Sequence, residues 1–472
     1  MAIRITKEPC PKRGHMTRAD LYATSIGTVI GAGIITLVVP AIRQTGYSAW
    51  LAYLVAILVG ALSLLPIVFV SSTVRLGGGF GSLVVDLCGT KFGLFYQTLF
   101  PLNVLSCSVM CVSATSYIAE LIPVLNTPFG KSFLGVVIVL SFVILNANGI
   151  DLFRKLQKVM TWILMGALIV FAIFGFSKFH LPVFDFSGPD FMPNGFAVFK
   201  DGLLTGGFFS AIFLFIYSCN GYKGMITFGR VAKNPQKDIP WATLATIPTL
   251  IVLYLGVTIA ASGAVSLEEY GSSNTLVVAA QKLLPGILYP LFIICGPLMA
   301  LFTTINSNFA GDGIGIGQAA RDGWLPAFLG KTNKRGAAVN VYYIVALVGV
   351  LPVLFNYSIS QVTSQLQLVT SLTGLLLDFA LFRFPVKHAE AWKKSKMHIP
   401  NWLYYTITAL ACMIQITTFV KSCMTLKRSV LIVALVVIVA VVVYGIYRTK
   451  INDMDVKLSV WEESEQPEEI EA

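Results

Sequence analysis

Charge is what this chain has least of. Asp, Glu, Lys and Arg make up 12% of its 472 residues, against about 25% in soluble domains. With 56% hydrophobic residues and a mean hydropathy of +0.77, a water-soluble globular protein is excluded and much of the chain must face lipid. Histidine is scarce as well. His15, His180, His388 and His398 all fall outside the apolar runs, which excludes an intramembrane histidine relay. The eight cysteines (Cys10, Cys88, Cys107, Cys111, Cys219, Cys295, Cys412, Cys423) show neither metal-site nor disulfide spacing. Most lie within or beside apolar runs, where Cys behaves as a small apolar residue. The cluster Gly77-Gly78-Gly79-Phe80-Gly81 lacks the downstream Gly-Lys-Ser/Thr of a phosphate loop. A tightly turning segment is expected there, and ATP drive is not. No paired carboxylates and no nucleophile motif point to an enzyme; no cofactor, no metal and no nucleic acid are expected.

What is there is apolar length. Twelve runs, centred near residues 31, 58, 108, 140, 169, 215, 252, 298, 347, 372, 412 and 438, each match the roughly 20 residues that a bilayer needs. The expected fold class is therefore an all-α polytopic membrane protein with 12 transmembrane helices. The basic N-terminal segment is followed by a full span without a small-residue cleavage pattern, so it does not read as a removable signal peptide. If that end is cytoplasmic, the segments on its side (1–20, 71–93, 148–158, 229–239, 312–337, 383–400, 448–472) hold 25 of the 34 Lys and Arg and the opposite loops hold eight. This fits the positive-inside rule with both termini cytoplasmic. The net charge of +11 then reflects topology rather than a nucleic-acid footprint. Membrane lipid is the one macroscopic partner expected: the basic cluster at 383–396 is either a topogenic loop or a contact for anionic headgroups. Residues 178–201, rich in Phe, Pro, Gly and Asp, read as an outer connector folding over the mouth. The acidic run from Trp461 onward shows no apolar period and reads as disordered.

Two of the apolar runs are broken in their middles, at Thr28-Val29-Ile30-Gly31-Ala32-Gly33-Ile34 and at Tyr217-Ser218-Cys219-Asn220-Gly221-Tyr222. An unpaired N–H or C=O in hydrocarbon costs several kcal/mol, so irregular backbone at membrane depth survives only where it lines a polar cavity. Broken helices about five runs apart, at matching positions of two halves, point to a transporter binding site. Gly27, Gly31 and Gly33 permit close approach of a ligand, and the helix restarting beyond them presents the positive end of its dipole to a carboxylate. The same glycines also suit a helix packing seam. Tyr217, Ser218 and Asn220 would be hard to satisfy on a lipid face. Together the breaks describe a pocket for a zwitterion.

Among ionisable residues, Lys223 is the one Lys or Arg inside these runs, just past the second break. It suits the place of a coupling cation, a proton gate or a contact to an acidic substrate; a long side chain there could also simply snorkel. Asp378 and Glu120, near the ends of their runs, are the comparable acids, either structural or proton carriers. These three are the coupling candidates.

Three motifs resemble the amino acid-polyamine-organocation superfamily of transporters. Ile30-Gly31-Ala32-Gly33-Ile34 is similar to its first-helix signature, with Ile35 where Phe is usual. Lys233-Asn234-Pro235-Gln236-Lys237-Asp238-Ile239-Pro240 resembles the motif after the sixth helix, and Ala320-Arg321-Asp322-Gly323-Trp324-Leu325-Pro326 with Asn333-Lys334-Arg335 the loop after the eighth. The likeness spans residues 18–450. It implies a leucine-transporter-like fold: a first inverted repeat over 19–200, a second over 201–398, two additional helices over 399–448, a cytoplasmic segment 1–18 and an acidic tail 449–472, rocking about a central site. It further implies that Gly31, Ala32 and Gly33, beside Ile30, hold the substrate carboxylate. Tyr217, Ser218, Cys219, Asn220 and Gly221 would meet the α-amino group, with Phe215 or Tyr217 as gate. Arg230 and Val231 depart from the acidic residue common before the Lys-Asn-Pro motif. Leu164 stands near where some sodium-independent members place a lysine.

The resulting expectation is secondary transport of an amino acid or amine across a prokaryotic-type plasma membrane, as exchanger or proton-coupled symporter, sodium-independent. Ser218, Cys219 and Ala32 offer no counter-charge, which favours neutral substrates. The rivals are a polyamine or cationic amino acid antiporter, and a non-transporting amino acid sensor.

Overall fold

The computed structural model describes residues 4–200, 203–219, 221–271, 275–357, 359–426, 428–451 and 455–462. A helix satisfies its own backbone and is thus what an apolar run adopts in lipid. In chain order the helices are α1 (Arg18–Val29), α2 (Ala32–Thr45), α3 (Ala49–Thr73), α4 (Phe80–Cys88), α5 (Thr90–Leu99), α6 (Leu105–Leu121), α7 (Pro128–Ala147), α8 (Ile150–Ser177), α9 (Gly207–Ser218) and α10 (Pro235–Ala264). They continue as α11 (Val277–Leu283), α12 (Leu288–Ile293), α13 (Met299–Arg321), α14 (Val339–Leu354), α15 (Ile359–Leu381), α16 (Phe384–Lys387), α17 (Ala389–Lys394), α18 (Asn401–Thr425) and α19 (Arg428–Ile451). Among the described residues nine helical stretches are long and apolar enough to cross a membrane. That criterion joins α1 to α3 into one stretch of 56 residues and passes over α9 and the 16-residue α14.

The lipid face is visible in what stays exposed. Only 6% of the apolar window of α19 is buried, and Ile432, Val433, Leu435 and Val436 stand open along it, an apolar surface too large for water. At the opposite extreme α1 packs on α8, α10 and α13, α2 on α9, and α3 on α9 and α10, so the two broken helices sit at the centre. The foot of α1 is fixed by a capping box: the Asp20 carboxylate accepts from the Thr17 N–H at 3.0 Å and Thr17 Oγ1 from the Asp20 N–H at 3.4 Å. Buried Asp20 also meets Lys158 Nζ of α8 at 2.6 Å and Arg154 at 3.5 Å.

Two sequence expectations change here. Residues 312–337 read as a segment outside the spans, yet α13 runs on to Arg321. Two of the glycines in this stretch sit where neighbours approach closely: a Cβ on Gly313 would collide with Tyr342, and one on Gly317 would lie 3.2 Å from the Ala338 Cβ. Packing outweighs the helix-weakening preference of glycine. At 77–81 the chain does turn tightly, with Gly79 at φ +88° leading into α4. Lys421, beyond Lys223, is a second lysine within a membrane helix; in α18 its ammonium sits 4.8 Å from the Phe213 ring centroid.

Short strands tie the termini to one face. β1 (Arg4–Lys7) pairs in parallel with β5 (Asp455–Leu458), and β2 (Val74–Leu76) pairs antiparallel with β6 (Val460–Glu462), while β3 (Val198–Lys200) and β4 (Leu203–Gly206) pair with each other elsewhere. The disorder expected from Trp461 onward therefore does not begin there. Trp461 is 1% exposed, its indole N–H donates to the Glu8 carbonyl at 2.7 Å, and the Arg75 guanidinium lies 5.7 Å from its ring. An aromatic side chain in an acidic run found an apolar slot that periodicity does not reveal. Residues 463–472 lie outside the described residues. At the far face the 178–201 connector packs on the α2–α3 turn: Tyr47 N–H donates to Asp190 O and Ser48 N–H to Phe191 O, while Trp50 meets Phe184 and Phe186 edge-on.

Candidate functional site

Both breaks are real, and they touch. The backbone leaves helix after Val29, with Ile30 at φ −77°, ψ 79° and Gly31 at φ −116°, ψ −139°, before α2 restarts at Ala32. α9 stops at Ser218, and a 3-10 helix over Gly221–Arg230 continues the second broken segment. None of Gly31, Gly33 and Gly221 has a left-handed φ; glycine is needed there for room. A Cβ on Gly33 would collide with Ser218 Oγ, one on Gly221 would lie 2.5 Å from the Thr28 carbonyl oxygen, and one on Gly31 2.7 Å from Thr304 Oγ1. The glycines at the breaks thus serve as a packing seam at the same place where the backbone leaves helix.

Neighbouring helices satisfy part of the freed backbone. Tyr254 of α10 donates its hydroxyl to the Val29 carbonyl at 3.1 Å and lies 3.4 Å from the Ser218 carbonyl, bridging the breaks. The Thr304 hydroxyl of α13 lies 3.0 Å from the Gly27 carbonyl, and Thr161 of α8 donates to Ala23 O at 3.0 Å. Asn306 donates to Gln157 at 2.9 Å and accepts from Asn146 at 3.1 Å, joining α13 to α8 and α7.

A cavity of about 250 Å³ opens between the breaks and α13. Gly31, Gly33, Tyr217, Ser218 and Gly221 line one side; Thr304, Ser307, Asn308, Gly311 and Asp312 line the other, with Asn103 and Ser106 between and Phe80, Phe100 and Phe228 at the end nearer the termini. Ser218 Oγ, Ser307 Oγ, Asn308 Nδ2 and Asp312 Oδ2 are buried atoms without a hydrogen-bond partner. Buried polar atoms are almost always paired, so four orphans around one cavity mark a place for a polar ligand.

Comparison with known proteins agrees. A family model described as amino acid permease matches residues 17–449. The chain belongs to the amino acid permease family. It is a transporter of the amino acid-polyamine-organocation superfamily and not an enzyme. The branched-chain amino acid permease BcaP of Lactococcus lactis is 25% identical over 355 residues, 71% of this chain and 74% of its own. The cadaverine/lysine antiporter of Escherichia coli is 21% identical over 394 residues, 82% and 85% of the two chains. The crystal structure of MhsT in complex with L-phenylalanine superimposes with a TM-score of 0.64 at 15% identity, over 87% of this chain and 99% of that one; the two share a fold.

The other expected site residues of this permease are placed as follows. Ile30 and Cys219 are fully buried in the surrounding core. Phe215 is stacked on Tyr53 of α3, ring centroids 3.7 Å apart, behind the cavity wall; Tyr217 of the two gate candidates is the one at the cavity. Asn220 and the side chains of Ala32 and Glu120 lie outside the described residues. Lys223 and Asp378 both lie away from the cavity lining: Asp378 of α15 is 1% exposed with its Oδ2 unpaired, and half-buried Lys223 is within electrostatic range of it and of Cys412, with no ion pair between Lys223 and Asp378 among the described residues. Leu164 is buried against the core.

Sequence reasoning missed Tyr254, Thr304, Asn308 and Asp312. Among the described lining residues Asp312 is the one with a formal charge, and it fell in the 312–337 segment read as lying outside the spans. A signal was available: Thr304, Ser307, Asn308, Gly311 and Asp312 recur at helical spacing, a small and polar stripe.

At the terminus-bearing face polar groups are paired. Glu8 meets Arg230 at 2.6 Å, so the N-terminal segment supplies an acid opposite the unusual arginine. Arg230 and Arg321 both donate to Gln318 Oε1, at 2.6 and 2.7 Å. Asp322 accepts from Gln318 at 2.8 Å and Ser82 at 3.0 Å; burial pushes its carboxyl up to about 7 against those two bonds. His388 lies between Asp86 at 2.7 Å and Glu462 at 2.8 Å. Burial alone would lower its pKa, but the two carboxylates outweigh it and hold it above the ordinary histidine value.

Proposed function

We propose that this permease carries an amino acid through the plasma membrane of a prokaryotic-type cell by alternating access around the cavity between its two helix breaks. The meeting of both breaks at one polar cavity carries this reading. Gly31 and Gly33 with the N–H groups opening α2 receive the substrate carboxylate, favoured by the positive helix end. The carbonyls exposed around Ser218 and Gly221 receive the α-ammonium, with Tyr217 closing over it. The architecture we assign is twelve crossings, five and five in inverted repeats plus two, with both termini cytoplasmic as the distribution of Lys and Arg suggests. A branched-chain permease, a cadaverine/lysine antiporter and a phenylalanine-bound neighbour among the similar proteins support an amino acid or amine as cargo.

Drive comes from exchange or from protons without sodium, and Lys223 with Asp378 is the pair we assign to coupling. An internal cation near one buried acid is the arrangement that a coupling ion would otherwise supply. The test is uptake of labelled amino acids into proteoliposomes, preloaded with amino acids or empty under an imposed pH gradient. Uptake only into preloaded vesicles makes the protein an exchanger; uptake into empty vesicles following the gradient makes it a proton symporter. No uptake in either case, with substrate still bound, leaves a sensor and ends the transport reading. Lys223→Gln is expected to lower uptake at least tenfold and to alter its pH dependence; wild-type behaviour of a properly inserted variant removes the pair from the mechanism.

A further inference from the structure

Resting on that reading of the breaks, we infer that the cavity selects a substrate with a second, cationic end, a basic amino acid or a diamine, whose terminal ammonium docks on Asp312. The charge pattern of the lining is the first reason. Asp312 is the one formally charged residue among the described lining residues, and no Lys, Arg or His faces it across the cavity. Its Oδ2 is buried without a hydrogen-bond partner. A carboxylate taken out of water without a partner costs several kcal/mol, and a substrate ammonium supplies both the charge and the donors that the protein withholds. Asn308 and Ser307, one turn nearer the breaks, hold unpaired atoms as well, so the approach to Asp312 is polar rather than apolar.

Length is the second reason. Thr304 marks the level of the breaks on α13, since its hydroxyl lies 3.0 Å from the Gly27 carbonyl and beside Gly31. Asp312 stands eight residues further along the same helix, about 12 Å at 1.5 Å per residue. Its Cβ tilts back toward the helix N-terminus, which returns the carboxylate toward the breaks by an ångström or two, roughly. The α-groups of a substrate held at the breaks therefore cannot reach it. An extended lysine carries its ammonium roughly 7 Å from its carboxylate, six bonds of about 1.5 Å in zigzag, and with a charge-assisted hydrogen bond of about 2.8 Å to Asp312 it reaches across the remaining gap of about 10 Å; a leucine side chain stops short. Gly311 beside Asp312 keeps that end open, since a Cβ there would meet nothing within 4 Å. The preference for neutral substrates drawn from Ser218, Cys219 and Ala32 considered only the zwitterion end.

Competition in proteoliposomes decides it. Uptake of a labelled amino acid mixture is inhibited with unlabelled L-lysine, cadaverine, L-leucine and L-glutamate in the unmodified protein, then in Asp312→Asn and Asp312→Glu, with detergent thermal unfolding to confirm that each variant is folded. Lysine or cadaverine is expected to inhibit at concentrations at least tenfold below leucine. Asp312→Asn is expected to shrink that ratio at least tenfold, and Asp312→Glu to keep it. Leucine matching or beating the cationic compounds in the unmodified protein overturns the inference while leaving amino acid transport standing. So does an unchanged ratio in Asp312→Asn. Absence of any amino acid uptake overturns the underlying functional reading and the inference with it.

Discussion

Asp312 and Asp322 lie ten residues apart on the same stretch of helix and its cap, and both are buried acids in opposite circumstances. Asp322 accepts from Gln318 and Ser82 inside a network that reaches Glu8, Arg230 and Arg321. Asp312 faces a cavity with an oxygen that nothing in the protein satisfies. The contrast extends to the neighbours of each acid: Gln318, Arg230, Arg321 and Ser82 around Asp322 are paired, while Ser307 and Asn308 beside the cavity hold unpaired atoms. Paired groups hold a conformation, whereas open ones wait for a ligand.

The sharpest way to break the contrast is to fill the contact between the helix breaks. Gly33→Val and Gly221→Val are expected to abolish proteoliposome uptake, since each new side chain would enter space held by Ser218 or the Thr28 backbone. Gly166→Ala, on α8 with nothing within 4 Å of the added carbon, is expected to leave uptake unchanged. Equal loss in all three would show that the breaks are not special.

Next in size, Tyr254→Phe removes the hydroxyl that ties Val29 to Ser218. A lost hydrogen bond of about 1–1.5 kcal/mol predicts uptake reduced roughly five- to tenfold; transport kinetics and a melting curve on the same preparation separate a binding effect from unfolding. On the paired side, Asp322→Ala strands Gln318 and Ser82. It is expected to destabilise by about 1–3 kcal/mol, read as a lower Tm in detergent, while the ranking of competing substrates stays put. A changed ranking would place Asp322 with the cavity after all.

The smallest effect concerns the C-terminal strand. His388 between Asp86 and Glu462 has its pKa raised, so its contribution is fully present below the ordinary histidine value and fades as pH climbs through the raised one. The protection of β6 amides, taken relative to intrinsic exchange at each pH, is expected to fall modestly from pH 6 to pH 8, and His388→Gln to remove that change. Protection in β6 that ignores pH would mean that β2 and Trp461 alone hold the tail.

These contrasts were only partly legible in the chain. The two interruptions stand out because Gly and Asn sit in otherwise unbroken apolar runs, and both interruptions are where the backbone leaves helix at Ile30 and Ser218. Lys223 could be picked as an isolated charge, but the buried acid near it, Asp378, is over 150 residues away in sequence and was found by packing. Asp312 was hidden, because residues 312–337 read as a segment outside the spans, and only the close approach of Tyr342 to Gly313 and of Ala338 to Gly317 shows how a glycine-rich helix packs there. Trp461 was hidden for the same kind of reason: its slot is built from Arg75 and Glu8, near the other end of the chain.

By itself, then, the sequence determined that the chain lives in lipid, that its runs are helices, and where two of them must break. Those properties follow from local composition against a solvent that cannot hydrogen-bond. Tertiary structure alone decided that the breaks touch each other, that Tyr254 and Thr304 steady them, and that Asp312 faces the space between. Contacts between residues hundreds of positions apart depend on how helices pack, and packing is set by shape that no local pattern carries.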